Sequence, residues 1–223
     1  MSQQPSEQPE QPEPSGEWTD VRSVDELVAI LGEPNERAAN KGRPALLEVD
    51  RAWLAASPFC VLATADAEGN ADASPKGDPA GQLVHVLDDT TIAIAERPGN
   101  RRADGYRNML ANPHVGLLFL IPGRTDTLRI NGRARLVSDA PFFDEMVVKG
   151  HRPVLAAVVE IDDIFFHCAK AFLRSGLWEP ETWTRAPQVP RRAVIAKEYE
   201  GARESVEELD AYYGDAYKKG LYG

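Results

Sequence analysis

No apolar run in this chain is long enough to cross a bilayer. The longest, residues 115–121 and 154–159, fall far short of the roughly 20 residues a spanning helix needs. The first eighteen residues, mostly Gln, Pro, Glu and Ser, lack the apolar core of a secretory signal, so the expectation is a cytoplasmic protein with no membrane partner. Cysteine is scarce. Cys60 and Cys168 are the two present, without Cys-x-x-Cys spacing, and their apolar surroundings suit reduced core thiols better than a disulfide or a metal pair. The four histidines, His85, His114, His151 and His167, lack the i, i+4 or carboxylate-clustered spacing of a metal site, so no bound metal is expected. A Gly-x-Gly-x-x-Gly after a strand, a Walker loop and a Gly-x-Ser-x-Gly elbow are all missing. Basic residues are the minority sign, 25 against 35 acids for a net charge of −10, which argues against a nucleic-acid or anionic-membrane surface. No residue stands out as catalytic, and a protein with no evident nucleophile or metal can still be an enzyme if a cofactor brings the reactivity.

What is present fits one domain with a proper core and decorated ends, since 223 residues suffice for that. Residues 1–18 have the composition of a disordered tail. Residues 19–180 read as the folded body with helices at its start, and residues 181–223 as an extension carrying a polar helix over about 203–217, with Val206, Leu209 and Tyr213 on one side. Much of the acidity sits at the two ends. The middle is closer to neutral, with basic residues around Lys76 and in residues 97–107 and 124–135, a distribution that suits a small anionic ligand.

Ser23 followed by Glu26 is a capping-box pattern that opens a short helix stopping before Gly32. Asp50 reads as the cap of a helix over 51–56, and Asp139 as the cap of one over 141–148. Between and beyond them, six or so short strands alternate with turns. Residues 59–65 and 71–76 form a hairpin with Gly at the turn, 82–87 and 91–96 a second, and 114–121 and 126–137 a third. Residues 154–168 add a long apolar strand interrupted at Asp162 and Asp163. Antiparallel strands at this spacing, with helices at the ends and one crossover, predict a mainly β fold with peripheral helices, a small closed or split barrel.

Three segments carry candidate chemistry. The two-residue period puts Asp72, Ser74 and Lys76 on one face of their strand, and Thr127, Arg129 and Asn131 on one face of theirs. Asn100, Arg101 and Arg102 follow a Pro-Gly turn, with Asn100 suited to cap a helix and the two arginines in its first turn. Cations there add to a field that is already positive, so a phosphate is the natural guest. Two readings stand: the three segments converge on an anion-bearing cofactor, or each strand has one wet face and the arginines pair with Asp104 or Glu96. Cations crowding where carboxylates are scarce favour the first.

Taken in order, the Ser74-Pro75-Lys76 hairpin, Arg97-Pro98-Gly99-Asn100-Arg101-Arg102, a helix ending Asn112-Pro113, the apolar strand from Val115 and Leu128-Arg129-Ile130-Asn131-Gly132-Arg133-Ala134 resemble the pyridoxamine 5′-phosphate oxidase-like family. Within it the chain is similar to a bacterial branch with a signature like residues 167–178. The resemblance implies an FMN-binding split β-barrel of Greek-key-like antiparallel strands, a homodimer with flavin at the subunit interface, and flavin-mediated hydride transfer on a small substrate with NAD(P)H as a candidate donor. It implies that Ser74 and Lys76 lie near the ring or ribityl chain, that Ala95 and Glu96 pass the isoalloxazine, and that Arg101 and Arg102 beside Asn100 grip the phosphate. Thr127, Arg129 and Asn131 follow as polar contacts, and Lys170, Arg174 and Trp178 of the other subunit close the site. The oxidase's Arg-Leu-x-x-Arg-like ending is not matched, so pyridoxine phosphate is not the expected substrate. Related readings are a reductase using the deazaflavin F420 and a non-enzymatic flavin-binding or sensing protein.

Overall fold

Seven antiparallel strands pair in the order β2-β1-β5-β6-β7-β4-β3, with burial alternating along β1 and β5 and continuous along β4 and the start of β7. They are β1 (Phe59–Ala65), β2 (Ala71–Gly77), β3 (His85–Val86), β4 (Thr91–Ala95), β5 (His114–Leu120), β6 (Thr127–Val137) and β7 (Ala156–His167). The computed structural model describes residues 18–222, and the chain divides into two compact units, Met1–Asn40 and Lys41–Gly223. Residues 1–17, most of the expected tail, lie outside the described residues.

The first unit contributes α1 (Val24–Leu31) and α2 (Glu36–Ala39). Ser23 Oγ accepts the Glu26 N–H at 3.1 Å, as the capping pattern predicts. The Glu26 carboxylate accepts from the Arg22 N–H instead of from Ser23, so only half of the box forms.

In the second unit, α3 (Glu48–Ala56) starts ahead of the expected helix, which leaves Asp50 inside it and not at its cap. Its carboxylate is fully buried, accepts the Leu47 N–H at 2.8 Å and holds both terminal nitrogens of Arg43, at 2.6 and 3.0 Å. The register places Lys76 opposite Cys60, Ser74 opposite Leu62 and Asp72 opposite Thr64. Cys60 in turn faces Phe119, which faces Leu128. These residues share the inner face, where Cys60, Leu62, Leu117, Phe119, Leu128 and Ile130 form the core with Ile92 and Ile164. Burying each large apolar side chain there contributes about 2–3 kcal/mol. Val61, Leu118, Arg129 and Phe165 lie in register on the opposite, outer face.

The sheet curls without closing. No ladder joins the edge strand β2 to β4; side chains bridge the gap, with Arg97 Nε 2.8 Å from Asp78 Oδ2 and Lys76 Nζ 3.5 Å from Glu96 Oε2. This is a split barrel, and α4 (Asp104–Ala111) packs Tyr106 and Met109 into its core. The expected interruption at Asp162 and Asp163 is a bulge: Asn131 pairs with Asp163 and Gly132 with Ile161, so β7 runs on through it.

Other differences are local. Asp139 caps nothing. It binds Arg152 at 2.8 Å, and residues Pro141–Met146 form a 3₁₀ helix entered from Ala140. Cys60 is a buried free thiol as expected, whereas Cys168, just past the end of β7, is exposed. Downstream run α5 (Lys170–Ser175), a 3₁₀ segment (Pro180–Gln188), α6 (Arg192–Tyr199), α7 (Val206–Ala211) and α8 (Tyr217–Lys219). The single polar helix expected over 203–217 is broken at Gly214, whose ψ of −140° is not helical, but Leu209, Val206 and Tyr213 do share a side and pack on Ala193 and Ala196. Among the described residues, no helix is long and apolar enough to cross a membrane.

Candidate functional site

The inner-face residues of β2 emerge at the open edge of the barrel. Ser74 Oγ donates to Asp72 Oδ2 at 3.0 Å. Lys76 Nζ donates to the Tyr106 hydroxyl at 3.1 Å and lies 4.6 Å from the centre of its ring. The Tyr106 hydroxyl donates in turn to the Glu96 carboxylate. Burial, then Glu96, holds the Tyr106 phenol far above its ordinary range, so it stays protonated and the chain from Lys76 to Glu96 is fixed in direction. Beneath it, burial pushes the Cys60 thiol up to about 12 against the opposing pull of Lys76.

The segment between β4 and α4 supplies the second wall. Arg97 turns inward: Nε donates to Asp78, which is 9% exposed, and Nη2 donates to the Met146 carbonyl at 3.0 Å. After Pro98-Gly99, Asn100 Oδ1 accepts the Arg102 N–H at 3.0 Å. Arg101 (φ 60°) and Ala103 (φ 57°) both adopt the left-handed conformation. Two such residues in four cannot continue a helix, so α4 begins at Asp104 and the arginines stand in the loop before it, not in its first turn. Left-handed backbone at residues other than Gly costs of order 1–3 kcal/mol each and concentrates at ligand clamps. Arg102 pairs with Asp104, which raises its pKa; Arg102 is exposed and Asp104 half-buried. Arg101 is exposed and has no ion pair among the described residues.

These walls enclose a cleft of about 710 Å³, in the range that holds cofactor-sized ligands. Of the residues expected at the site, Ser74, Lys76, Ala95, Glu96, Asn100, Arg101 and Arg102 all line it. Thr127, Arg129 and Asn131 do not. Arg129 and Asn131 project from the outer face of β6, where Arg129 Nε donates to Asn131 Oδ1 at 3.0 Å, and Thr127 is buried at the start of that strand. Within one chain, two of the three candidate segments meet and the third faces away. Lys170 and Arg174 are exposed on α5, and Trp178 Nε1 donates to the Arg124 carbonyl at 2.7 Å; none of the three lines the cleft.

The cleft also corrects the expected charge. Lys76, Arg97, Arg101 and Arg102 meet four carboxylates, Asp72, Asp78, Glu96 and Asp104, so carboxylates are not scarce there. Most of the charges are spoken for, in the Lys76–Glu96, Arg97–Asp78 and Arg102–Asp104 pairs. Outside these pairs stand one charge of each sign, the exposed Arg101 and Asp72, which accepts from Ser74. Sequence reasoning missed Tyr106, Asp78 and Tyr222 as lining residues. Tyr106 had a faint signal, since it and Met109 mark the buried side of α4 at i, i+3; the other two had none.

Residues 46–168, more than half of the chain, match the family model described as pyridoxamine 5′-phosphate oxidase. No curated protein matches the chain. Among solved structures it is similar to HupZ from Group A Streptococcus, at 17% identity over 54% of this chain and 93% of that one, with a TM-score of 0.44. An F420 reductase aligns at 17% identity over 55% of this chain and 98% of its own, TM-score 0.40. The heme storage protein HutZ from Vibrio cholerae aligns at 16% identity over 53% and 93%, TM-score 0.40.

Proposed function

This chain belongs to the pyridoxamine 5′-phosphate oxidase family, and we propose that it binds FMN in the cleft between β2 and α4 and uses it for redox chemistry on a small substrate. The observation that carries the reading is the left-handed loop that sets Arg101 and Arg102 on the lip of a cleft whose wall presents Ser74 and Lys76. The donor set suits the ligand. Two guanidiniums match a phosphate bidentately. Arg102 is held only by a surface pair with Asp104, which contributes little and exchanges readily for a phosphate oxygen. Arg101 has no competing partner among the described residues.

Bound there, FMN would supply the hydride chemistry that no side chain of this protein offers, with negative charge on its ring when reduced. Lys76 keeps an ammonium on the cleft wall that offsets such charge, and the Tyr106–Glu96 chain holds it in place. Ser74 presents a hydroxyl on the same face.

The outer sheet face supports a homodimer. Val61, Leu118 and Phe165 are half-buried apolar residues in register there, beside Arg129 and Asn131. Residues on that face reach a flavin only when a second copy brings them. The contacts expected of Arg129 and Asn131 are therefore assigned to the partner's site, together with those of Lys170, Arg174 and Trp178 downstream of β7, while Thr127 is buried and serves the barrel itself; a small-molecule substrate and NAD(P)H as candidate donor complete the reading.

The test is the visible absorbance of freshly purified protein and the mass of the chromophore released on denaturation, which separates FMN from F420. Arg101→Ala with Arg102→Ala should remove the colour while leaving the thermal melt of the flavin-free protein unchanged. Losing two charge-assisted contacts lowers affinity by roughly two to three orders of magnitude. A colourless protein that takes up neither flavin contradicts the reading.

A further inference from the structure

Residues 217–222 return to the barrel, and Tyr217, Leu221 and Tyr222 form part of the cleft lining. The attachment is concentrated in one side chain. The Tyr222 hydroxyl donates to Asp78 Oδ1 at 2.8 Å, while the other oxygen of that carboxylate takes Arg97 Nε. The Tyr222 ring lies 5.1 Å from Lys149 Nζ, 5.9 Å from the Arg97 guanidinium and 6.3 Å from the His151 ring. Positive groups at these distances from an aromatic face are attracted to it. Burial and the bond to Asp78 raise the Tyr222 phenol, so it keeps the proton it donates. The rest of the segment is loosely held: Tyr217 and Leu221 are 48% and 46% exposed, and Lys218 and Lys219 are exposed.

We infer that residues 217–222 form a strap across one end of the cleft, latched by Tyr222 on the Asp78–Arg97 pair, and that the strap must lift for the ligand to enter or leave. Asp78, just past β2, and Arg97, just past β4, bridge the opening of the sheet, so the latch sits where the barrel is split and where a ligand has a path out. The gating part rests on the reading of the cleft as a cofactor site; the latch does not.

Tyr222→Phe keeps the ring and removes only the donated bond, so it folds as the parent does; Tyr222→Ala removes both. The first measurement needs no ligand: the rate at which trypsin cuts after Lys218 and Lys219 in the full chain. The second is the rate of FMN release, followed by recovery of flavin fluorescence on dilution. A hydrogen bond to a charged group predicts about tenfold faster cutting and about tenfold faster release for Tyr222→Phe, and more for Tyr222→Ala. Equal cutting of parent and variants overturns the latch. Faster cutting with unchanged release overturns the gate. A parent protein that takes up no FMN overturns the cofactor reading and the gate together, and the cutting rates still decide the latch.

Discussion

Cys60 shows how much one buried group can bind to a pH window. The native state holds its proton up to about 12, while the unfolded chain releases it near the ordinary 9.0. Between those values the unfolded state binds fewer protons, so stability falls as pH rises, by at most about 1.4 kcal/mol per pH unit. Urea unfolding at pH 8, 9.5 and 10.5 should show this decline, and Cys60→Ala, destabilised at every pH, should show a shallower one. Parallel curves for the two proteins contradict the assignment. At this scale the sequence was legible where a side chain's role follows from its own strand. Ser74 and Lys76 could be placed on one face because a strand alternates. Asp78 and Tyr222 could not, because 144 residues separate them and nothing local marks the pair. Asp50 was misread for a related reason: its partner Arg43 lies ahead of α3, and an aspartate near a helix start looks like a cap whether or not it is buried.

Among the elements, the β6–β7 pair is the longest ladder and bends at its bulge. A Cβ on Gly132 would sit 2.1 Å from the Glu160 carbonyl oxygen and 3.0 Å from Val159 Cγ1, and a backbone oxygen cannot swing aside as a side-chain tip can. Gly132→Ala should therefore destabilise the protein by about 3 kcal/mol in chemical unfolding. A loss under about 0.5 kcal/mol would mean that the bulge relaxes freely. Strands were the most legible elements, since β1, β5 and β6 start or stop within a residue of where alternation puts them. The start of α4 was not. Asn100 followed by a charged run reads as a cap and first turn, and only the left-handed backbone at Arg101 and Ala103 moves the helix on to Asp104. Sequence patterns report which conformations are favourable, and this loop adopts an unfavourable one. The 203–217 helix failed in the opposite sense, because Gly214 interrupts an otherwise consistent apolar side.

For the molecule as a whole, the open barrel depends on side chains where a closed one has a ladder. The side chains of Arg97 and Asp78 are 13% and 3% exposed, and removing Arg97 leaves a buried carboxylate with the Tyr222 hydroxyl alone. Arg97→Ala should cost about 3–5 kcal/mol, whereas removing Arg51 from its more open pair with Asp89 should cost less than about 1 kcal/mol. Equal losses in thermal or urea unfolding would show that the split edge is held by something else. The family and the β architecture were legible because the order of motifs along the chain survives without knowledge of contacts. Which sheet face each motif occupies was not, and this divides the expected site into a cleft set around Lys76 and Arg101 and an outer set around Arg129. The central claim is that the paired arginines hold a flavin phosphate, and one titration tests it: FMN added to flavin-free protein, followed by flavin fluorescence, for the parent and for Arg101→Ala with Arg102→Ala. The account predicts saturable binding by the parent and binding roughly 100 to 1,000 times weaker by the variant, with the same melting temperature. Equal affinity in the two proteins, or no binding by the parent, would contradict it.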